Sequence, residues 1–508
     1  MTTDPNRRDF LKKAAVVTAG ASAGVVGGCG RRMARETRSK PNLLFIWTDE
    51  QRFDTMAAYG NRKIKTPNLN KLAGESVVFE RAYVTQPVCT PSRSSVLTGL
   101  WPHQNGCTKN NVPLRPETKC LPELLNDPDY RCAYMGKWHL GDEIFAQHGF
   151  AEWVSIEDGY RGHYREGRDR DRRSDYHHFL LEHGYQPGGG NTFSRGFAAR
   201  RRIEHCKPRF LENRACEFLR RNRHQPFILH INFLEPHMPF FGPLDDLHDP
   251  DEIGVPANFH DPLEANEPLR YRLAREHSMR QYGADERTIR QLNARYYGLV
   301  SQVDRSVGGI LRTLENLGLA DNTIVVYTSD HGDMMGAHGL VAKQYMYEES
   351  ARVPLLLRLP QHRRGQRMIT QPVSHIDLVP TLLELMGCRE PVNLPGHSLT
   401  GLLAGGGMQQ DHVFVEWHPN RMFYCRDTKL ASKDQIERVA QERTRTVVSP
   451  DGWKLCLSDL DKCQLFNLNS DPLETTNLFD SGKHGDVIAR LTGKIHQWQE
   501  SVGDTVKV

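Results

Sequence analysis

Apolar runs that stop abruptly on ionisable residues recur along the chain, with helix-length stretches between them. NLLFIW (42–47) ends at Thr48-Asp49-Glu50, and CAYMG (132–136) leads into Lys137-Trp138-His139. FILHINFLE (227–235) leads to Pro236-His237, and TIVVYTS (323–329) ends at Asp330-His331. This alternation predicts an α/β domain with a mostly parallel central sheet flanked by helices. In such sheets ligands bind outside the carboxyl ends of the strands, so the four ends are candidates to converge on one site. Helices are expected over RQLNARYYGLVSQVDRSVGGILRTLENLGL, ending at Gly318, and over SHIDLVPTLLELMG, closed by Gly387.

Two stretches break the pattern. Residues 158–205, rich in Arg, Asp, His and Gly without a clean period, are expected to form a loop-rich, solvated insertion over the sheet edge. After Leu403 an AGGG linker precedes short strand-like pieces (HVFVEW, RTVVS, WKLCL, QLFNL) and a helix near DVIARLTGKIHQWQES. A smaller C-terminal α+β subdomain with an antiparallel sheet follows, over 404–508.

Residues 1–30 stand apart. Arg7-Arg8, then Asp9-Phe10-Leu11-Lys12, then a mildly apolar run from Ala14 to Gly28 resemble a twin-arginine export signal. Val26-Gly27-Gly28-Cys29 resembles a lipobox, which would leave a lipid-modified Cys29 at the mature N-terminus. The expected location is exported and periplasmic, with the export machinery as a partner and membrane anchorage through Cys29.

Composition narrows the chemistry. A net charge of +4 with acids and bases interspersed gives no basic stripe, so nucleic acid is not the expected partner. Eleven cysteines without a CxxC pair exclude a zinc knuckle. Cys456 and Cys463 flank a hairpin-like LSDLDK and are candidates for a disulfide.

The segment CTPSRSSVLTG (89–99) carries the sharpest signal. Thr90 as N-cap, Pro91 at the first helical position and Gly99 as a stop predict a helix with Cys89 immediately before it. Free N–H groups and the dipole there favour an anion, and Arg93 lies one turn on. An inert buried thiol, a lowered-pKa nucleophile and a disulfide half are the alternatives for Cys89. Asp49 and Asp330, at two strand ends, are the oxygen donors that suit Ca²⁺ or Mg²⁺ more than zinc. Lys137 and His139 flank Trp138, so in extended chain they point the same way.

Cys-x-Pro-Ser-Arg followed by Leu97-Thr98-Gly99 resembles the signature of the type I sulfatases, in the alkaline-phosphatase-like superfamily. The resemblance extends over PNLLFIWTDEQR, TPNLNKLAGESVVFERAYV, MGKWHLG, EPHMPF, VVYTSDHGDMMGAHGL, KQYMYEESARVPLLLR and LFNLNSDPLETTNL. It implies a catalytic domain over 31–403, and a Cys89 oxidised by a formylglycine-generating enzyme to Cα-formylglycine. By similarity Asp49, Glu50, Asp330, His331 and the modified Cys89 are metal ligands, with Glu50 standing where relatives carry aspartate. Arg93 and Lys137 would hold the sulfuryl group, and His139 would act as base on the second hydroxyl of the aldehyde hydrate. His237 and Lys343 would bind the ester oxygens, one of them protonating the leaving alcohol. The motifs leave the substrate open; the Arg- and His-rich 158–205 insertion suits a polyanionic glycan outside the cell, so a sulfated carbohydrate is the leading expectation, with a sulfated small molecule beside it. A phosphonate monoester or phosphodiester hydrolase, and a silent anion- or glycan-binding homologue, are the alternatives, and the motifs leave the oligomeric state open.

Overall fold

The computed structural model describes residues 40–360, 366–388, 392–408 and 411–508. The export segment and Cys29 lie outside the described residues, and among those described no helix is long and apolar enough to cross a membrane.

Nine strands form the central sheet: β1 (Asn42–Asp49), β2 (Val77–Tyr83), β3 (Arg131–Gly136), β4 (Glu152–Val154), β5 (Phe227–Pro236), β6 (Thr323–Ser329), β7 (Arg352–Arg358), β8 (Arg367–Ile369) and β9 (Val373–Ser374). Their order is β4-β3-β5-β1-β6-β7-β2-β8, with β9 also on β2. The pairs from β4 to β6 are parallel, whereas β7 runs antiparallel to both β6 and β2. All eight residues of β1 are buried, and side-chain alternation divides them between two cores. Leu44 and Ile46 pack with the Lys207–Arg221 and Glu286–Asn316 helices. Leu43, Phe45 and Trp47 pack with the Cys89–Thr98 and Leu378–Leu385 helices. The expected helices at 290–319 and 374–387 are therefore the elements that cover the two faces.

The C-terminal part forms a second sheet, antiparallel in the order β10 (Val413–Trp417), β11 (Thr444–Val448), β12 (Trp453–Ser458) and β13 (Gln464–Asn467). One face carries the Gly485–Val502 helix through Leu491, Ile495 and Trp498. The other packs Val415, Trp417 and Cys456 against Tyr83 and Val88, so the small sheet buttresses the residue just before Cys89. The expected Cys456–Cys463 disulfide is not formed, and both thiols are free. Cys456 pairs across the ladder with Gln464. Its neighbour Cys463 therefore falls on the opposite face, packed in the helix-side cluster.

Candidate active site

The adjacent strands β5, β1 and β6, with β3 beyond β5, end side by side, and their last residues or immediate successors are Asp49, Lys137, His237 and Asp330. The β3 end is held close to β5 because Gly136 has no side chain: at φ +116°, a Cβ there would lie 1.9 Å from the Asn232 carbonyl oxygen.

Cys89 opens the Cys89–Thr98 helix, every residue of which is buried. The helix begins two residues earlier than the Thr90 cap and Pro91 start expected from sequence. Val88 occupies the cap, while Thr90 donates its hydroxyl to the His139 carbonyl (2.8 Å) and its N–H to Asn110 Oδ1 (3.1 Å). Cys89 Sγ lies 3.2 Å from His331 Nε2 and 3.8 Å from Asp49 Oδ1. Burial and the Asp49 charge push its thiol up, against the lowering a helix N-terminus would give.

Arg93, wholly buried, joins two strand ends. Its Nη2 donates to Asp49 Oδ2 (2.6 Å), its Nε to Asp330 Oδ2 (2.8 Å) and its Nη1 to the Lys137 carbonyl (2.9 Å). Lys137 Nζ also contacts Asp49, and Lys343 Nζ contacts Glu50. Burial opposes ionisation of Asp49, but Lys137 and Arg93 outweigh it and hold the carboxyl well below its usual range. Burial and the neighbouring Asp49 push Asp330 up. Burial draws Lys343 down to about 8, and the Asp49 charge works the other way.

His331 Nδ1 donates to the Gly332 carbonyl (2.8 Å), leaving Nε2 with its lone pair toward Cys89. His237 is set the same way: Nδ1 donates to the Met238 carbonyl (2.8 Å), and Nε2 faces Glu50 Oε1 (3.2 Å) and Lys343 Nζ (3.4 Å). His139 is not in the extended conformation expected between it and Lys137. It sits at φ 61°, because Glu143 accepts the N–H groups of both Trp138 (2.8 Å) and His139 (2.6 Å) and turns the loop. Burial, then Lys137 and Arg93, hold His139 well below its usual range, so it is a neutral imidazole and fit to accept a proton.

Asp49, Glu50, Cys89 and His331 each bring one potential ligand atom within 4.8 Å of the others. Glu50 Oε2 is a buried carboxylate oxygen without a hydrogen-bond partner, and Glu50 holds a left-handed φ of 65°. An orphaned carboxylate oxygen among these donors fits a hard divalent cation. Asp330 borders this group, with Oδ1 accepting the Glu50 N–H (3.1 Å) and lying 3.6 Å from His331 Nε2.

Sequence reasoning passed over several residues that complete the site. Asn111 Oδ1 lies 2.9 Å from His139 Nε2, and the Tyr160 ring packs on His139 at 4.3 Å. Arg195 Nη1 lies 3.3 Å from His237 Nδ1, while its Nη2 donates to the Tyr160 hydroxyl (2.7 Å) and its Nε to Glu157 Oε2 (2.6 Å). Lys207 contacts the other Glu157 oxygen. The 158–205 insertion, which also forms helices at Asp175–Glu182 and Arg195–Ala199, thus supplies one wall of the site.

Arg195 and Lys207 overcome the burial of Glu157 and hold its carboxyl at about 2. Because that value lies below the unfolded one, the stabilisation is complete above pH ~4.5 and is lost as pH falls toward 2. Glu157→Gln is expected to destabilise the fold by about 3 kcal/mol at pH 7, the gap narrowing below pH ~4.5. Urea unfolding of both chains from pH 7 to 3 measures this, and a gap independent of pH would contradict it.

A family model described as Sulfatase matches residues 41–388, and one described as N-sulphoglucosamine sulphohydrolase, C-terminal, matches 336–501. An Escherichia coli protein described as uncharacterized sulfatase YidJ is 29% identical, over 92% of this chain and 88% of its own. The solved phosphonate monoester hydrolase of Agrobacterium radiobacter shares the fold with TM-score 0.72 and 21% identity, over 91% of this chain and 96% of its own. A structure in complex with its substrate D-glucosamine-2-N,6-O-disulfate shares it with TM-score 0.70 and 24% identity, over 92% and 99%.

Proposed function

The chain belongs to the sulfatase family and is a sulfuric ester hydrolase, and from that premise we propose that it cleaves the sulfate monoester of a sulfated carbohydrate. We take Cys89 as the precursor of a formylglycine hydrate and Ca²⁺ or Mg²⁺ as the ion held by Asp49, Glu50, His331, the modified residue 89 and Asp330. The observation that carries this reading is the position of Cys89, at a helix start between His331 and Asp49 with Arg93 and Lys137 on the same carboxylate. The carbohydrate is supported by the likeness to the protein bound to a sulfated glucosamine.

In the modified chain the Sγ position marks where hydrate oxygens would stand. The hydrate supplies a nucleophilic oxygen and the cation supplies Lewis acidity. The other roles fall to side chains in place. Arg93 and Lys137 hold negative charge on the sulfuryl oxygens. Lys343, cationic at neutral pH, gives a proton to the leaving alcohol oxygen, and His237 Nε2 beside it positions the ammonium. His139 takes the proton of the second hydroxyl through its unpartnered Nδ1, which lets sulfate depart and restores the aldehyde. Cys89 is 1% exposed, so a formylglycine-generating enzyme must reach it before the chain folds.

On purified, modified chain, kcat/KM for 4-nitrophenyl sulfate and for sulfated disaccharides is expected to exceed that for a phenylphosphonate monoester by at least about tenfold, ~1.4 kcal/mol of discrimination. A preference for the phosphorus ester would overturn the sulfate assignment. Inactivity on every carbohydrate sulfate, with aryl sulfate turned over, would overturn the glycan assignment alone.

A further inference from the structure

We propose that a cavity beside Lys343 is a second anion subsite, holding a sulfate or carboxylate on a sugar next to the one that carries the scissile ester. This rests on the sulfatase reading and names the kind of carbohydrate it implies: an oligosaccharide with more than one anionic group. The cavity, about 560 Å³, lies between the 109–111 turn, the Leu269–Tyr282 helix and the 420–423 loop. Lys343, on Glu50, and Asn111, on His139, form its inner end. A sugar chain with its ester at residue 89 therefore has a path outward along this wall, in a volume typical of small-ligand sites.

The lining carries four basic residues, Lys109, Arg270, Lys343 and Arg421, and no aspartate or glutamate, in a chain whose acids and bases are nearly balanced. Lys109 and Arg421 are exposed and have no carboxylate partner among the described residues. Arg270 is buried, with Nε donating to Glu442 (2.6 Å) and Nη1 to the Gln344 carbonyl (2.9 Å), while Nη2 has no partner. The exposed Arg421 guanidinium, without a carboxylate partner among the described residues, presents a fork that suits the tetrahedral oxygens of a sulfate, and the buried Arg270 adds positive charge behind it. At the mouth Phe423, 46% exposed, stacks on His277 at 5.8 Å with Arg421 over it at 5.1 Å. A flat apolar face beside a cation matches a pyranose ring bearing an anion.

The other large opening near the site differs. The 740 Å³ cavity in the insertion sets Glu157, Asp158 and Asp171 against Arg161, Arg170 and Arg195, and the nearby Arg165 and Arg168 are paired with Asp142. The insertion's charge is largely met internally, so the surplus that attracts a polyanion lies on the Lys343 side.

Calorimetric titration of the full chain with a heparin-derived hexasaccharide, and with the same hexasaccharide desulfated, tests the subsite without relying on turnover. The sulfated probe is expected to bind, and the desulfated one not. The Lys109→Ala/Arg421→Ala double variant, altered only at exposed positions, is expected to weaken binding at least about tenfold. Phe423→Ala is expected to weaken it less, and an Arg161→Ala/Arg170→Ala control not at all. Equal binding of the two probes, no loss in the double variant, or an equal loss in the control would each overturn the subsite. Turnover of 4-nitrophenyl sulfate by the unaltered chain tests the sulfatase reading separately, so the two can fail independently.

Discussion

A chain carrying serine at position 89 is expected to lose about 10⁴-fold or more of kcat/KM toward 4-nitrophenyl sulfate, the scale on which removal of a nucleophile acts. Its melting temperature should stay within about 1 °C of the parent, less than ~1 kcal/mol for a chain of this size. The fold tolerates the change because the serine hydroxyl enters a polar niche, with His331 Nε2 and Asp49 Oδ1 placed to accept its proton. The chemistry does not tolerate it, for a reason that concerns release more than attack. A formylglycine hydrate has a second hydroxyl whose proton His139 can remove; a serine ester of sulfate has none, so nothing drives the C–O bond to break. Cys89→Ser should therefore retain sulfate on the 89–99 segment after exposure to substrate, visible as a mass increase on that peptide. Sustained turnover by this variant would sink the formylglycine assignment.

How much of this was legible in the sequence depends on where a residue sits. Asp49, Lys137, His237 and Asp330 end strands or directly follow them, and a strand end is visible as the point where an apolar run stops. Cys89 and Arg93 were legible from helix signals of the same local kind. His139 was legible as a candidate but not in its orientation, which depends on Glu143 capturing two N–H groups four and five residues upstream. Asn111, Tyr160 and Arg195 left no trace, because each reaches the site from a loop or a short helix of an aperiodic segment and is held by partners distant in sequence, such as Glu157. The Cys456–Cys463 pairing failed for a related reason. Hairpin proximity is readable from spacing, but which face each thiol takes depends on a register that pairs Cys456 with Gln464.

Arg93→Ala should have the largest effect on stability. The guanidinium is 0% exposed and is held by Asp49 and Asp330, so its removal leaves two buried carboxyl groups short of a counter-charge. Breaking a buried pair in this way costs about 3–5 kcal/mol, here a fall of roughly 3–5 °C in melting temperature. Activity should fall about 10²- to 10³-fold as well, the scale for losing one donor to developing oxyanion charge. Added Ca²⁺ or Mg²⁺ should restore part of the lost stability, up to ~4 kcal/mol at a thousandfold excess over Kd, and more in Arg93→Ala than in the parent. The difference arises because Arg93 competes with the cation for the same carboxylates. Asp49, Glu50 and Asp330 are faced by Arg93, Lys137 and Lys343, so the cluster is close to neutral without a divalent ion and carries a surplus of about two positive charges with one. A sulfate ester brings a single negative charge and the departing sulfate two, so this surplus favours the reaction as it proceeds more than it favours the bound substrate. Thermal unfolding with and without each ion checks the argument, and an Arg93→Ala melting temperature indifferent to both would refute it.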